Sequence, residues 1–289
     1  MVVSGKSGAD NSLGTVAVVG LGLMGGSLCR ALKSGALSPH IIGMDVSPVV
    51  GAKAMEAGAI DRYEPDSLRS LEEVDVVVYA APLGATLSLI GEQADCWKDE
   101  VLLTDTVSLK KPVLSAAAVA GLAHRFVGAH PICGGEGSGF GAGTAELFEG
   151  ATVWLSVGDE VSEQVRARAE AFWTVVGGVP RWVEAAEHDR RMAWVSHLPQ
   201  LVANALAGAL DAAGCERDEL GPGGRDMTRL ARSSPEIWRD LLEASAPVTG
   251  TGLTSVSNAL NVLADLLARR ELDSIAEFME RTRRWSGAE

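Results

Sequence analysis

The segment Phe126-Val127-Gly128-Ala129-His130-Pro131 closes an apolar run on a histidine. Such a run reads as a strand, and an open α/β sheet presents the carboxyl ends of its strands to the crevice where ligands bind. Imidazole exchanges a proton most readily near neutral pH, so His130 is a candidate general base. A loop histidine satisfied by backbone would leave the same trace, and His-Pro alone does not separate the two. Further along, His197 and Gln200 share a helical face with Asn204, on a predicted helix that starts near Ala186 and also carries His188. Buried polar groups cost about 1–3 kcal/mol each when left unpaired, so this row predicts a wet cleft. Arg225 and Arg229 follow the glycine loop Gly221-Pro222-Gly223-Gly224 and fall on one face if their segment is helical. A guanidinium meets a carboxylate with two parallel hydrogen bonds. For Arg225, an ordinary ion pair with Asp226 or Glu236 weighs as heavily.

A second constellation binds rather than reacts. Gly20-Leu21-Gly22-Leu23-Met24-Gly25 has the pattern G-x-G-x-x-G, directly after the predicted strand Val16 to Val19 and before the helix pattern Ser27 to Leu32. Gly20 permits the tight turn, Gly22 lets backbone approach a pyrophosphate, and Gly25 lets helix and strand pack closely. Gly20, Gly22, Leu23, Met24 and Gly25 are therefore candidate cofactor-binding positions. Asp45, at the end of the next strand, can accept from both hydroxyls of an adenosine ribose and would repel a 2'-phosphate. No arginine follows it closely, which selects NAD over NADP. The competing role for Asp45 is to cap the helix after Ser47.

The cofactor's second crossing is expected at Ala81, Pro82 and Leu83, where an apolar strand ends in small residues, and at Thr106 on the strand after it. Ser108 stands where a helix N-cap is wanted, ahead of Leu109-Lys110-Lys111-Pro112. Two lysines in a first turn oppose the helix dipole, an arrangement more tolerable if an anion occupies that end. Ser108 is thus a cap or a substrate contact.

These residues need a scaffold, and the first half of the chain supplies its pattern. Short β-branched runs alternate with helical ones, the signature of a parallel sheet covered on both faces. Strands are expected at Thr15 to Gly20, His40 to Asp45, Val74 to Ala80, Val101 to Thr106, Phe126 to His130 and Thr152 to Val157. A helix from Ser162 to Val176 and the run Val179 to Val183 could complete this part. From Ala185 onward nearly everything reads as helix, with breaks at Gly214, at Gly221 to Gly224, and around Pro247 to Gly252. The expected fold is an α/β, Rossmann-type doubly wound parallel sheet followed by an all-α domain. The expected divisions are a mobile tail at 1–14, a dinucleotide-binding domain at 15–184 and a helical domain at 185–289. Leu253, Val256, Leu260, Leu263 and Leu267 form one apolar stripe, and Ala259, Val262 and Leu266 a second. A helix apolar on so much of its circumference needs cover on two sides, which predicts a homodimer built on the helical half.

Composition narrows the class. The chain has 289 residues, 47% hydrophobic, enough for a sizeable core. A formal net charge of -13 argues against general affinity for nucleic acid or an anionic membrane. Cys29, Cys96, Cys133 and Cys215 lack the spacing of a zinc site or a disulfide framework, so no metal is expected and a reducing cytoplasm fits best. No signal peptide or bilayer-spanning run is evident.

Taken together, these motifs resemble those of the prephenate/arogenate dehydrogenase family of tyrosine biosynthesis. The similarity covers nearly the whole chain after the tail and rests on Gly20 to Gly25, Asp75 to Leu83, Thr104 to Lys110, Phe126 to Gly139, Leu147 to Val153, Ser196 to Pro199 and Gly224 to Asp240. The resemblance implies that His130 is the catalytic histidine, contacting the ring hydroxyl, with Ser108 its supporting partner and His197 a second active-site histidine. It further implies that Arg229 binds a substrate carboxylate and that Trp238 lines the pocket. Many members carry histidine where this chain has Gln200, so Gln200 and Glu136 are the candidates to discriminate the substrate side chain. No regulatory ACT domain or chorismate mutase domain is seen, and tyrosine feedback through an ACT domain is not expected.

The implied reaction is an NAD-dependent oxidative decarboxylation of prephenate, with a nearby cationic nicotinamide keeping the His130 imidazole neutral by lowering its pKa from about 6.5. Arogenate, both substrates together, or 4-amino-4-deoxyprephenate remain open as alternatives. A β-hydroxyacid dehydrogenase would normally place a lysine on the first long helix after the nucleotide domain, and no lysine follows Lys111. A non-catalytic NAD-sensing regulator would have no use for His130, His197 and Arg229.

Overall fold

The computed structural model describes residues 13–65, 70–135 and 137–287. The tail expected at the amino terminus lies, up to residue 12, outside the described residues. The chain divides into two compact units, one reaching Asp189 and the other starting at Arg190.

The first unit is built on one sheet. Its strands are β1 (Thr15–Val19), β2 (His40–Met44), β3 (Arg62–Glu64), β4 (Val74–Tyr79), β5 (Leu102–Asp105), β6 (Phe126–Pro131), β7 (Thr152–Ser156) and β8 (Val179–Trp182). They lie in the order β3-β2-β1-β4-β5-β6-β7-β8. Helices α1 (Leu23–Ser34), α2 (Pro48–Glu56), α3 (Leu83–Glu92), α4 (Lys111–Val119) and α5 (Glu163–Val175) connect them. The central strands β1, β4 and β5 are Val/Leu-rich and nearly wholly buried, as strands covered on both faces must be. The order reverses between β1 and β4, and the crevice beyond the carboxyl ends of those two strands is where such sheets bind nucleotides.

Two features depart from the sequence reading. Strand β3 carries the short run Arg-Tyr-Glu, which has no apolar β-branched pattern to announce it; it forms only by pairing with β2 at the sheet edge. The sheet is also not uniformly parallel, because β7 runs antiparallel to β6. A parallel neighbour requires a crossover that carries the chain back to the other end of the sheet. Between β6 and β7 the described residues form only short 3-10 turns, at Phe140–Ala142 and Ala145–Phe148. These are tied to α1, where Ser27 Oγ accepts from the amide of Thr144 and Arg30 donates to the carbonyl of Phe140. The chain therefore stays at the carboxyl end of the sheet and re-enters it from there.

Helix α6 (Ala185–Met192) closes the first unit and crosses the division just after Asp189. A π-helical turn at Ala193–His197 then leads into α7 (Leu198–Ala212). Pro199 has no N–H to offer, and a widened turn absorbs the missing rung. The helical unit continues with α8 (Pro222–Thr228), α9 (Pro235–Ala268) and α10 (Leu272–Trp285). The break expected at Gly214 is present, with that residue in the left-handed region at φ 75°. The segment Gly221–Gly224 is not a flexible loop: Pro222, with its pre-set φ, starts α8 and carries Gly223 and Gly224 into the helix. Helix α9 likewise runs through Pro247 without a break. Pro247 and Glu243, whose carbonyl loses its helical donor, are both exposed, so water can satisfy that carbonyl. Among the described residues no helix is long and apolar enough to cross a membrane.

Candidate active site

The turn after β1 is held by backbone. Gly20 donates to the carbonyl of Met44, and Ala80 donates to that of Val19, so β1 has a partner on each side up to its last residue. Gly20 has φ 96°, and a Cβ there would stand 2.7 Å from the carbonyl oxygen of Ala80. A Cβ on Gly25 would stand 1.8 Å from the carbonyl oxygen of Gly20, so α1 could not approach the turn with any other residue. Gly22 differs from both, because a Cβ there would meet nothing within 4 Å. The protein itself does not require glycine at that position; a ligand lying against the backbone would.

Helix α1 has no side-chain cap and no acidic residue in its first turn, whereas Ser47 and Ser162 cap α2 and α5. The amides of Leu23 and Met24 therefore open a positive helix end suited to a phosphate. Asp45 stands beside this end. Its Oδ2 accepts from the amide of Leu21 and its Oδ1 from the amide of Ser47, each at 2.8 Å. Ser47, not Asp45, caps α2, so the two competing roles for Asp45 resolve into an aspartate fixed by two amides with a lone pair left on each oxygen. These features fit a dinucleotide. The turn Ala81-Pro82 leads into the buried Leu83 at the start of α3, and Thr106, half-buried, donates its amide to Tyr79.

The end of β6 is clamped by a buried ion pair. Asp105 and Lys110 are both wholly buried and meet at 2.5 Å. Asp105 Oδ1 accepts from the amide of Ala129, and Lys110 Nζ donates to the carbonyl of Ala129. Both polar backbone groups of the residue preceding His130 are thus held by side chains, just beyond the last β5–β6 backbone pair at Thr104 and Val127. Burial pushes the Asp105 carboxyl up and the Lys110 ammonium down, each opposed by its attraction for the other.

The amino end of α4 departs from expectation. Its first residue is Lys111, and Ser108, half-buried in the preceding turn, is not its cap. The anion that the two lysines call for is supplied by the protein. Asp189 Oδ1 accepts from the amide of Lys110 at 2.7 Å, and Oδ2 from the amide of Lys111 at 2.9 Å. Asp189 Oδ1 also lies 2.8 Å from Nδ1 of the buried His188. His188 Nε2 in turn lies 3.0 Å from His130 Nδ1, with the two rings edge to face at 78°. His130 itself is half-buried at the end of β6. From sequence His188 stood out only as a histidine on this helix, with no role attached, and Asp189 not at all, although the adjacent pair His188-Asp189 near a helix start is a readable signal.

In the helical unit His197 is buried, with Nδ1 2.9 Å from Ser245 Oγ. Ser245 Oγ also lies 2.8 Å from the carbonyl of Leu241 and accepts from Thr249 Oγ1, so the ring is tied into a buried hydroxyl cluster on α9. Trp238, half-buried, packs edge to face on the same ring at 5.8 Å. Of the polar row, His197 and Gln200 are buried and Asn204 is exposed; Gln200 donates to Asn204 Oδ1 and to the carbonyl of Leu230. Arg225 is exposed and donates to the carbonyl of Asp218. Arg229 is exposed and forms no ion pair among the described residues. Glu136 lies outside the described residues.

Residues 28–180 match the family described as prephenate dehydrogenase, nucleotide-binding domain. Residues 184–281 match prephenate dehydrogenase, dimerization domain. The chain is 29% identical to a cyclohexadienyl dehydrogenase of Zymomonas mobilis over 93% of its own length and 94% of the relative's. It is 33% identical to a prephenate dehydrogenase of Bacillus subtilis, over 79% of its own length and 63% of the relative's. Among solved structures, prephenate dehydrogenase from A. aeolicus in complex with hydroxyphenyl propionate and NAD+ superposes with a TM-score of 0.86 at 28% identity, covering 94% of this chain and 96% of that one.

Proposed function

This chain belongs to the prephenate dehydrogenase family, and we propose that it catalyses the NAD-dependent oxidative decarboxylation of prephenate to 4-hydroxyphenylpyruvate. The observation that carries this reading is the imidazole of His130 at the carboxyl end of β6, with its Nδ1 engaged by His188, in the same unit as an uncapped glycine turn. The dinucleotide is held by the backbone of Gly20, Gly22, Leu23, Met24 and Gly25, with Asp45 on the adenosine ribose, and by Ala81, Pro82, Leu83 and Thr106 on its other half. NAD bound there would supply the acceptor for the hydride of C4 of the substrate ring.

The work of the chain's own residues is proton handling and grip. His130 withdraws the proton of the C4 hydroxyl, and Ser108 supports that contact. As the ring carboxylate departs as carbon dioxide, the electron pair of the broken bond aromatises the ring and ends on the C4 oxygen, which takes a proton back. Arg229, with no internal ion pair among the described residues, binds a substrate carboxylate, and Arg225 adds positive charge on the same segment. His197 is the second catalytic histidine, Trp238 contacts the substrate, and Glu136 and Gln200 address the substrate side chain. The enzyme acts in the cytoplasm as a homodimer formed through the helical unit, where Leu260, Val262, Leu267 and Leu272 are exposed.

One observation favours arogenate as a second substrate. Both amide hydrogens of Gln200 are spent on Asn204 and on the carbonyl of Leu230, so only its oxygen can address a ligand. An oxygen acceptor suits the ammonium of an alanyl side chain better than a pyruvyl ketone.

The test is to follow NADH formation with prephenate, arogenate and 4-amino-4-deoxyprephenate side by side, each with NAD and with NADP. Prephenate with NAD is expected to give the highest kcat/KM. Turnover of the amino analogue alone would replace this reading, and no turnover of any would end it.

A further inference from the structure

We propose that His188 is a positioning residue that, together with Asp189, locks His130 in the tautomer whose proton sits on Nδ1. The basic lone pair of His130 is thereby placed on Nε2. The proposal deepens the reading of His130 as the proton acceptor and rests on it.

The assignment follows from counting donors along the chain of contacts. Asp189 takes two backbone amides at the amino end of α4, from Lys110 and Lys111. Both Asp189 oxygens thus serve as acceptors. An ionised carboxylate can only accept, so His188 Nδ1, 2.8 Å from Asp189 Oδ1, must be the donor. A neutral imidazole with its proton on Nδ1 carries its lone pair on Nε2. At 3.0 Å, His188 Nε2 therefore accepts, and His130 Nδ1 is the donor that meets it. Each link fixes the next, starting from two amides at a helix end.

His188 is well placed for this. It is buried to 1% exposure, and α6 is itself held at its start, where Glu184 accepts from the amides of Ala186 and Glu187. The same Asp189 carboxylate also fixes the start of α4, directly after the turn that carries Ser108. When His130 takes a proton on Nε2 it becomes an imidazolium, and its Nδ1–H remains directed at the lone pair of His188. The positive charge is then stabilised through His188 by the Asp189 carboxylate, without a second proton having to move. Without His188, either ring nitrogen of His130 could carry the proton, and part of the population would present an N–H where a base is needed.

The experiment is nitrogen NMR on the full chain labelled with ¹⁵N-histidine, without cofactor, paired with steady-state kinetics. In the wild type, His130 should show a protonated Nδ1 and an unprotonated Nε2. In His188→Leu the two shifts should move toward each other. That variant's kcat should fall about 10- to 1,000-fold, part of the worth of a positioned base, with KM for the substrate changed less than threefold. His188→Gln offers an acceptor oxygen to His130 and a donor to Asp189, and should recover at least a tenth of the wild-type kcat. The proposal is overturned by an Nε2–H tautomer of His130 in the wild type, a measurement that needs no variant to fold. Shifts unmoved in a folded His188→Leu protein overturn it equally. If the shifts behave as expected but His130→Asn keeps its full kcat, the reading of His130 as the base is what fails, and the catalytic meaning of the relay goes with it.

Discussion

Lys110 Nζ and Asp105 Oδ2 lie 2.5 Å apart with neither side chain reaching solvent, and between them they hold both backbone groups of Ala129. On its β5 side the residue that precedes His130 is thereby held by charged side chains, while on the other side it still stands opposite Leu155 in the β6–β7 pairing. A buried pair of this kind adds little net stability compared with an apolar substitute, but removing one partner strands the other.

Lys110→Met should therefore destabilise the protein by about 3–5 kcal/mol, because it leaves the Asp105 carboxylate buried without its cation. A fall in the thermal midpoint of about 10 °C is expected from a domain of this size. An unchanged midpoint in a scanning calorimeter would mean that the pair carries no structural weight.

Asp75 makes a pH-dependent contribution at the start of β1. Partial burial would raise its carboxyl, but the amide of Thr15 and the ammonium of Lys98 outweigh that and hold it below the ordinary value of 3.8. A carboxyl lowered in the folded state adds stability above its unfolded value, and that stability is lost as pH falls through the folded value. The pair is a third exposed, so the effect is small. Asp75→Asn should lower the thermal midpoint by about 2 °C at pH 6, and the difference should vanish toward pH 2. Equal gaps at both pH values would remove the carboxylate from the explanation.

His130→Asn should reduce kcat by about 10²- to 10⁴-fold, the usual worth of a positioned general base. NAD affinity, measured by titrating the quenching of tryptophan fluorescence, should stay within about threefold, since no cofactor contact is assigned to this side chain. Full turnover would exclude His130 as the proton acceptor.

Arg229→Ala should act mainly on KM. A charged hydrogen bond contributes roughly 1.5–3 kcal/mol, which corresponds to a rise of about 10- to 150-fold. A wild-type KM in initial-rate measurements would make Arg229 a surface residue without a ligand.

Much of this was legible one residue at a time. The turn Gly20 to Gly25 is readable because its glycines answer steric demands made within a few residues, as with the Cβ that Gly25 cannot carry against Gly20. His130 is readable for the same reason, since an apolar run of strand length determines where its last side chain emerges. Helix α9 shows the limit. Pro247 signals a break in any local reading, yet the helix continues at a place where Pro247 and Glu243, four residues before it, are both exposed.

What the sequence by itself determined is the set of local elements and the few residues placed at their ends: the dinucleotide turn, the strands of the sheet, and a histidine at the carboxyl end of one of them. Only the tertiary structure decided which way β7 runs, which anion sits at the start of α4, and what holds His130. The first depends on ties of 110 and 117 positions, Arg30 with Phe140 and Ser27 with Thr144, and the other two on contacts 58 to 79 positions apart, His130 with His188 and Lys110 with Asp189. Periodicity and propensity act over a turn or a strand, and hydrogen bonds across such distances are set only when the sheet brings their carriers together.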